Sequence, residues 1–290
     1  MDERDWLMLK TLYEKKSITK AAAALFISQP ALSNRLQHIE ARFGTIIVVR
    51  GKNGVQFTPE GEYLVKAAYE MLKRVQVYEE DLQNMQEQAT GTLRIGASMF
   101  FTKYLLPELL RRFRIQYPRV EFKVTTAWSS DIVNLVYNND VHIGFVRGEY
   151  SFSGEKKLLF KEKMFISSKE QLNYTDLPHI PRIDYRNDYT IQVLIDKWWN
   201  ENYSVPPRIG MEVDRVDTCK EMVAKGLGYG FLPEIILNNN KDICTREMVY
   251  RSGKPLTRET WMFYNKDSMQ LKLTKAFFDF VQDVDFSTLY

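Results

Sequence analysis

Between residues 29 and 37 the chain gathers amides, hydroxyls and a guanidinium on one side of a stretch whose spacing predicts a helix. They are Gln29, Pro30, Ser33, Asn34 and Gln37, with Arg35 beside them. Such groups near a helix N-terminus can hydrogen-bond base edges in the major groove of double-stranded DNA, where each base pair shows a distinct pattern of donors and acceptors. A second set of residues suits small-molecule chemistry. Arg147 follows the apolar run 141–146, and Arg258 stands at the start of another apolar stretch that ends in Tyr264. A guanidinium fork can hold a carboxylate bidentately. Ser98, Ser129 and Ser130 follow predicted strands, the latter two where a helix begins near Asp131. Helix N-termini with nearby hydroxyls favour an anion. Two guanidiniums plus helix N-termini suit a multiply charged small acid better than a neutral or aromatic effector. Each residue also has a plainer reading: Arg147 paired with Glu149, Arg258 with Glu259, and the serines as helix caps.

Particular elements are needed to present the first set. A helix over 19–26 has closely packing alanines of high helix propensity. Ser28 is a good N-cap for the next helix, and Pro30 is tolerated in a first turn that has no partner for its missing N–H. In that helix Leu32, Leu36, Ile39 and Phe43 form one apolar face. An earlier helix over 6–14, with Leu7, Leu9, Leu12 and Tyr13, completes a three-helix core. Residues 45–57 alternate as a β-hairpin wing would, with Arg50 and Lys52 suited to phosphate contact. Residues 1–58 carry nine Lys+Arg against five Asp+Glu, while the remainder is close to neutral. A helical hairpin in an ordinary domain is the plain alternative, but turn, polar face, basic wing and following helix come in the order a winged helix-turn-helix needs.

Pro59 opens a long helix, 59–89. Leu64, Ala68, Met71, Val75, Tyr78, Leu82 and Met85 follow one another at alternating spacings of four and three. This heptad seam calls for a partner helix, so a homodimer is expected, with two winged modules held apart to read a two-fold-symmetric site. Packing of the seam on its own chain is the alternative.

Thr90-Gly91 is the natural hinge to the remaining segment, 90–290. Strands are predicted at 93–97, 120–126, 141–146, 160–166, 208–213, 229–232 and 260–264. Helices are predicted at 104–117, 130–137, 190–203, 217–225 and 271–284. Two crossing strands imply two α/β subdomains, 92–161 with 266–290 and 162–265, and ligands in such folds bind outside the carboxyl ends of strands.

Other chemistry finds little support. Cys219 and Cys244 have no metal spacing and fit a reducing cytoplasm. His38, His142 and His179 are scattered, and no zinc cluster, phosphate loop or nucleophile–base pairing is visible. No cofactor and no enzymatic activity are expected. Trp198-Trp199 reads as packing. No export signal or apolar run of spanning length is present, so a cytoplasmic protein without membrane contact is expected.

The run Ala21-Ala-Ala-Ala-Leu-Phe-Ile-Ser-Gln-Pro-Ala-Leu-Ser, the Arg50 wing and Phe57-Thr-Pro-Glu-Gly-Glu before the long helix resemble the LysR-type transcriptional regulators. That resemblance spans the chain. It implies that Gln29, Pro30, Ser33, Asn34, Arg35 and Arg50 line DNA, that Thr58 helps fix the wing to the next helix, and that the fold is α/β: a winged helix-turn-helix, a linker helix and a two-subdomain, periplasmic-binding-protein-like effector domain. It also implies a homotetramer; RNA polymerase is a further candidate partner of a regulator bound at a promoter. The wing departs from the family's Leu-Phe-x-Arg, having Val48-Val49-Arg50, which implies altered packing. Ala127-Trp-Ser-Ser, Val141-His-Ile-Gly-Phe-Val-Arg-Gly, Trp198-Trp199, Val216-Asp-Thr-Cys-Lys-Glu-Met and Gly228-Tyr-Gly-Phe-Leu-Pro resemble the citrate-responsive catabolite-control regulators of Gram-positive bacteria. Citrate as effector, control of citric acid cycle genes, and ligand contact by both arginines and the serines are implied by it.

Overall fold

The computed structural model describes residues 1–51, 54–84, 89–237 and 242–289, apart from the side chains of residues 50, 83 and 84. It forms two compact units, Met1–Met85 and Gln86–Tyr290.

In the first unit α1 (Glu3–Lys15) begins with a capping box: the Asp2 carboxylate accepts the Asp5 N–H, and the Asp5 carboxylate accepts that of Asp2. α2 (Ile18–Ala24) starts at Ser17, whose hydroxyl accepts the Lys20 N–H. α3 (Gln29–Phe43) starts at Ser28, carries Pro30 in its first turn and ends at Gly44 in the left-handed conformation. These caps satisfy N–H and C=O groups that a helix end leaves unpaired. The strands β1 (Val48–Gly51) and β2 (Gly54–Phe57) pair antiparallel as the wing. α4 (Pro59–Asn84) follows. Thr58 joins wing and helix, its hydroxyl donating to the Ile46 carbonyl at 2.6 Å and accepting the Gly61 N–H at 3.0 Å. Gly61 is required by proximity, because a Cβ there would lie 2.1 Å from the Ile47 carbonyl oxygen.

The core of this unit contains Met8, Leu9, Leu12, Ala21, Leu32, Leu36, Ile39 and Ile47, with Leu64 and Ala68 of α4. Three expected core residues are outside it: Leu7, Tyr13 and Phe43 are exposed. Met8 takes the inward position beside Leu9 and Leu12, which leaves Leu7 about 100° round the helix. Phe43 occupies the last turn before Gly44. The heptad seam divides in two. Leu64 and Ala68 pack on their own unit, while Met71, Tyr78 and Leu82 are exposed, the last two 64% each. Met85 lies outside the described residues.

The second unit runs β3 (Gly91–Ser98), α5 (Met99–Tyr104), α6 (Leu106–Gln116), β4 (Val120–Ala127), α7 (Ser129–Tyr137), β5 (Ile143–Arg147), β6 (Glu155–Ser168), β7 (Arg182–Tyr185), α8 (Tyr189–Asn202), β8 (Ile209–Val213), α9 (Val216–Ala224), β9 (Gly230–Pro233), α10 (Glu234–Leu237), β10 (Cys244–Glu247), β11 (Thr257–Tyr264) and α11 (Lys272–Gln282). The helix expected over 104–117 is α6, with Pro107 in its first turn where the missing N–H does no harm; the short α5, which ends at Tyr104, precedes it and is not expected from sequence.

One sheet has the order β4-β3-β5-β11-β6, parallel over its first three strands and antiparallel at β11 and β6. β6 is long enough to enter a second sheet. From Met164 to Ser168 it lies between β9 and β10, and the parallel pair β7–β8 joins through a bridge of Arg182 to Tyr229. On the return, Thr257–Glu259 pairs with β6 alone and Thr260–Tyr264 lies between β5 and β6. The chain is therefore back in the first subdomain by about Thr260, earlier than the boundary at residue 265 expected from sequence. Phe101 stacks on Phe145, and Phe113 meets Phe277 edge-on, in the first subdomain's core. Trp198 and Trp199 are buried in the second, their indole N–H groups donating to the carbonyls of Val249 and Val205. α7 sits unusually close to the first sheet: a Cβ at Gly144 would lie 2.6 Å from Val136 Cγ2.

Candidate functional site

α3 presents Gln29, Pro30, Asn34 and Gln37 to solvent. Ser33 does not join them. It is buried, and its hydroxyl accepts the Gln29 side-chain amide at 2.9 Å, because position 33 falls at the margin of the Leu32–Leu36 face. Arg35 is half-buried and committed elsewhere, its guanidinium bridging Asp5 and Asp2 (Nη2 to Asp2 Oδ1, 2.5 Å) at the start of α1. It ties α3 to α1 and so sets the pitch of the exposed face. Arg50 pairs with Val55 through its backbone in the wing, its side chain being outside the described set, and Lys52 lies outside the described residues.

The second unit has a cleft of about 70 Å³ between its subdomains, bordered by Ser98, Phe100, Trp128, Ser129, Arg147, Tyr185, Asp188 and Arg215 among others. Four helices begin at its rim. Ser98, Trp128, Asp188 and Arg215 are the N-cap residues of α5, α7, α8 and α9, and none makes a side-chain cap bond. The N-terminal N–H groups of α7, α8 and α9 therefore point partial positive charge at one place without their own side chains to answer it.

Arg147 leaves the carboxyl end of β5 and is buried beside this cleft. Its Nη2 lies 3.6 Å from Asp188 Oδ2, and its backbone N–H donates to the Ser129 hydroxyl at 3.2 Å. Its partner is thus Asp188, not Glu149. Nε and Nη1 of Arg147, the Ser98 hydroxyl and the Tyr185 hydroxyl have no hydrogen-bond partner among the described residues. Burial, and then the charge of Arg258, lower the Arg147 pKa to about 10, leaving it cationic at neutral pH. Burial pushes the Tyr185 phenol up to about 12, so it can donate a hydrogen bond.

Arg258 is sealed away at 0% exposure, with Nε donating to Glu162 Oε1 at 2.5 Å. Both arginines lie against Phe100: the guanidinium carbons of Arg258 and Arg147 are 4.1 and 4.6 Å from that ring's centroid. Arg258 pairs with Glu162 rather than Glu259, and it does not border the cleft itself but lies against Phe100, which does; its charge still acts on Arg147. Ser130 is exposed in the first turn of α7, one residue past the buried Ser129. The expectation for Tyr264 is corrected by position. Tyr264 pairs with Ile143 at the start of β5, whereas Thr260 pairs with Arg147 at its end. Four residues of strand, about 13 Å, separate the tyrosine from the cleft, where it packs on Phe278 instead.

Contacts across the cleft include residues that no sequence pattern marks. Lys103 pairs with Asp217 at 2.7 Å, Arg186 lies over Trp128 at 4.7 Å, and Asp188 accepts the Ser129 N–H at 3.2 Å. Among the described residues no group of three His, Cys, Asp or Glu side chains is placed to hold a metal, and no helix is long and apolar enough to cross a membrane. Burial raises the Cys219 thiol to about 12, which makes it an inert core residue.

A winged three-helix unit followed by a two-subdomain α/β unit with an anion-suited cleft defines a ligand-responsive DNA-binding regulator. Comparison with known proteins gives the family. Residues 4–62 match the bacterial regulatory helix-turn-helix protein model of the lysR family, and residues 86–285 match the LysR substrate binding domain. The chain is 41% identical over 289 residues, covering all of both, to the uncharacterized HTH-type transcriptional regulator YraN of Bacillus subtilis. It is 31% identical to YkuM of the same organism, with 96% and 95% of the two chains covered. Its fold resembles full-length CbnR solved with its target DNA (TM-score 0.72, 18% identity, 97% and 99% covered) and the full-length virulence activator AphB of Vibrio cholerae (0.63, 16%, 97% and 98%). The chain belongs to the LysR family: it is a transcriptional regulator with an effector-binding domain, and not an enzyme.

Proposed function

We propose that this regulator senses a small carboxylic acid, citrate foremost, in the cleft around Arg147, and transmits its binding to promoter DNA held by two or more copies of the α3 face. The observation that carries this reading is the convergence of three helices of nine to fourteen residues without side-chain caps of their own on a cleft where Arg147 and Ser98 keep donors without partners among the described residues. Fixed N–H dipoles and a guanidinium in a place with little water favour an anion. On the rim Lys103 and Arg215 are paired with Asp217 and Asp214, and Arg186 adds a positive charge for the acid. The exposed stripe Met71, Tyr78 and Leu82 supports pairing through α4, with a tetramer of such pairs as the working assembly. Control of citric acid cycle genes in the cytoplasm, with RNA polymerase as the downstream partner, completes the proposal.

A specific observation favours a second effector class. A cleft of about 70 Å³ holds roughly five waters, which suits a smaller acid unless the subdomains part. Calorimetric titration of the full-length protein with citrate, isocitrate, succinate and benzoate separates the two. Saturable binding of citrate is the expected result. Binding of succinate alone would transfer the assignment to a dicarboxylate, and binding of benzoate alone or of none would remove the polycarboxylate reading.

A further inference from the structure

Asp188 lies outside every motif in the sequence, yet it completes the cleft. It stands at the N-cap of α8 without a side-chain bond to that helix. Its carboxylate, 5% exposed, crosses instead to the other subdomain, where it accepts the Ser129 N–H at 3.2 Å and lies 3.6 Å from Arg147 Nη2. Trp128 cannot cap α7, so Asp188 caps it from across the cleft. A carboxylate held by a helix N-terminus and a guanidinium is the arrangement a bound organic acid would adopt. Here the acid is the protein's own.

We propose, resting on the reading of the cleft as a small-anion site, that Asp188 is an internal surrogate for the effector carboxylate. It holds the α7 N-terminus and Arg147 until an effector arrives, and the incoming acid takes its place. The charges favour exchange over addition. Arg147 and Arg258 are already matched by Asp188 and Glu162, so an added carboxylate beside Arg147 would meet the like charge of Asp188 where little water screens it. The narrow cleft agrees, since displacement of Asp188 makes room at the position where donors are richest. Exchange also supplies an output. Asp188 belongs to the second subdomain, and Ser129 and Arg147 to the first. Replacing it breaks a bond between the two and biases their relative arrangement by the difference in ligand affinity.

Asp188→Asn keeps an oxygen for the Ser129 N–H but removes the charge, and Asp188→Ala removes both. Full-length wild type and both variants are titrated with citrate and with sulfate, and each is melted with and without the anion. The expected result is that both variants bind anion about tenfold or more tightly than wild type, the size of a like-charge effect at this range. They should melt lower than wild type without anion and gain more from it. Unchanged or weaker affinity in folded variants, with wild type still binding, overturns the surrogate and leaves the small-anion site standing. If no form binds either anion, and none binds succinate, the small-anion reading falls and takes the surrogate with it. Should the variants fail to fold, the structure of wild type with citrate decides: a citrate carboxylate on the Ser129 N–H supports the exchange, and Asp188 still there refutes it.

Discussion

Arg258 and Glu162 show how a charged pair can be indispensable without stabilising the fold. Both are buried, at 0% and 2% exposure, and one Glu162 oxygen and both Arg258 Nη atoms lack partners among the described residues. Taking two ions out of water is costly, and their attraction offsets that only with good geometry and full hydrogen bonding. Removing one partner strands the other. Arg258→Ala should lower stability by about 3–5 kcal/mol, while Arg258→Met combined with Glu162→Leu should recover most of that loss. Urea unfolding of the three proteins checks this, and a double variant no more stable than Arg258→Ala would contradict it. The same pair separates stability from sensing. If its role is the field behind Phe100, the double variant should fold yet bind citrate more weakly.

At the scale of elements, α4 uses one stripe for two purposes. Its first turns place Leu64 and Ala68 in the winged unit's own core, and Gly61 lets the helix approach the Ile47 carbonyl. Beyond Ala68 the same stripe is left facing solvent at Met71, Tyr78 and Leu82. Each buried side chain of this size contributes about 1.5–3 kcal/mol, so an unpaired stripe is a substantial driving force for association. Tyr78→Glu with Leu82→Glu should therefore dissociate the assembly without unfolding the winged core, which rests on residues before 69. Sedimentation velocity with wild type as reference tests it; an unchanged sedimentation coefficient would remove α4 as the pairing helix. Helices α7, α8 and α9 make a parallel point. None has a side-chain cap of its own, and their shared defect is a shared capacity to hold an anion.

For the whole molecule the decisive quantity is the coupling between sensing and DNA affinity. A dimer that places two basic wings and two α3 faces on one duplex should release counterions in proportion to the phosphates it meets. A plot of log affinity against log salt should then have a slope of about −5 or steeper, equivalent to roughly six phosphates. Filter binding or anisotropy across salt concentrations gives the slope. A shallow slope would mean that α3 and the wing carry little of the contact. Repeating the series with citrate separates a change in arrangement from a change in charge: an altered affinity at constant slope means that the same phosphates are held in a different geometry.

Local pattern was enough for much of this protein. Ser28 and Pro30 marked the start of α3 because caps and breakers act through their own backbone neighbours, and the alternation of strands and helices after residue 90 announced two α/β subdomains because side-chain period reports which face is buried. Arg147 was visible for the same reason, as a charge at the end of an apolar strand. What only the tertiary structure decided is which distant groups face one another. Arg258 lies against Glu162, 96 residues away, Asp188 caps a helix 59 residues earlier, and Tyr264 falls at the wrong end of its strand for the cleft. Sheet register sets the first and the third, and the packing of one subdomain against the other sets the second; both are products of contact between segments far apart in sequence, which no local spacing encodes.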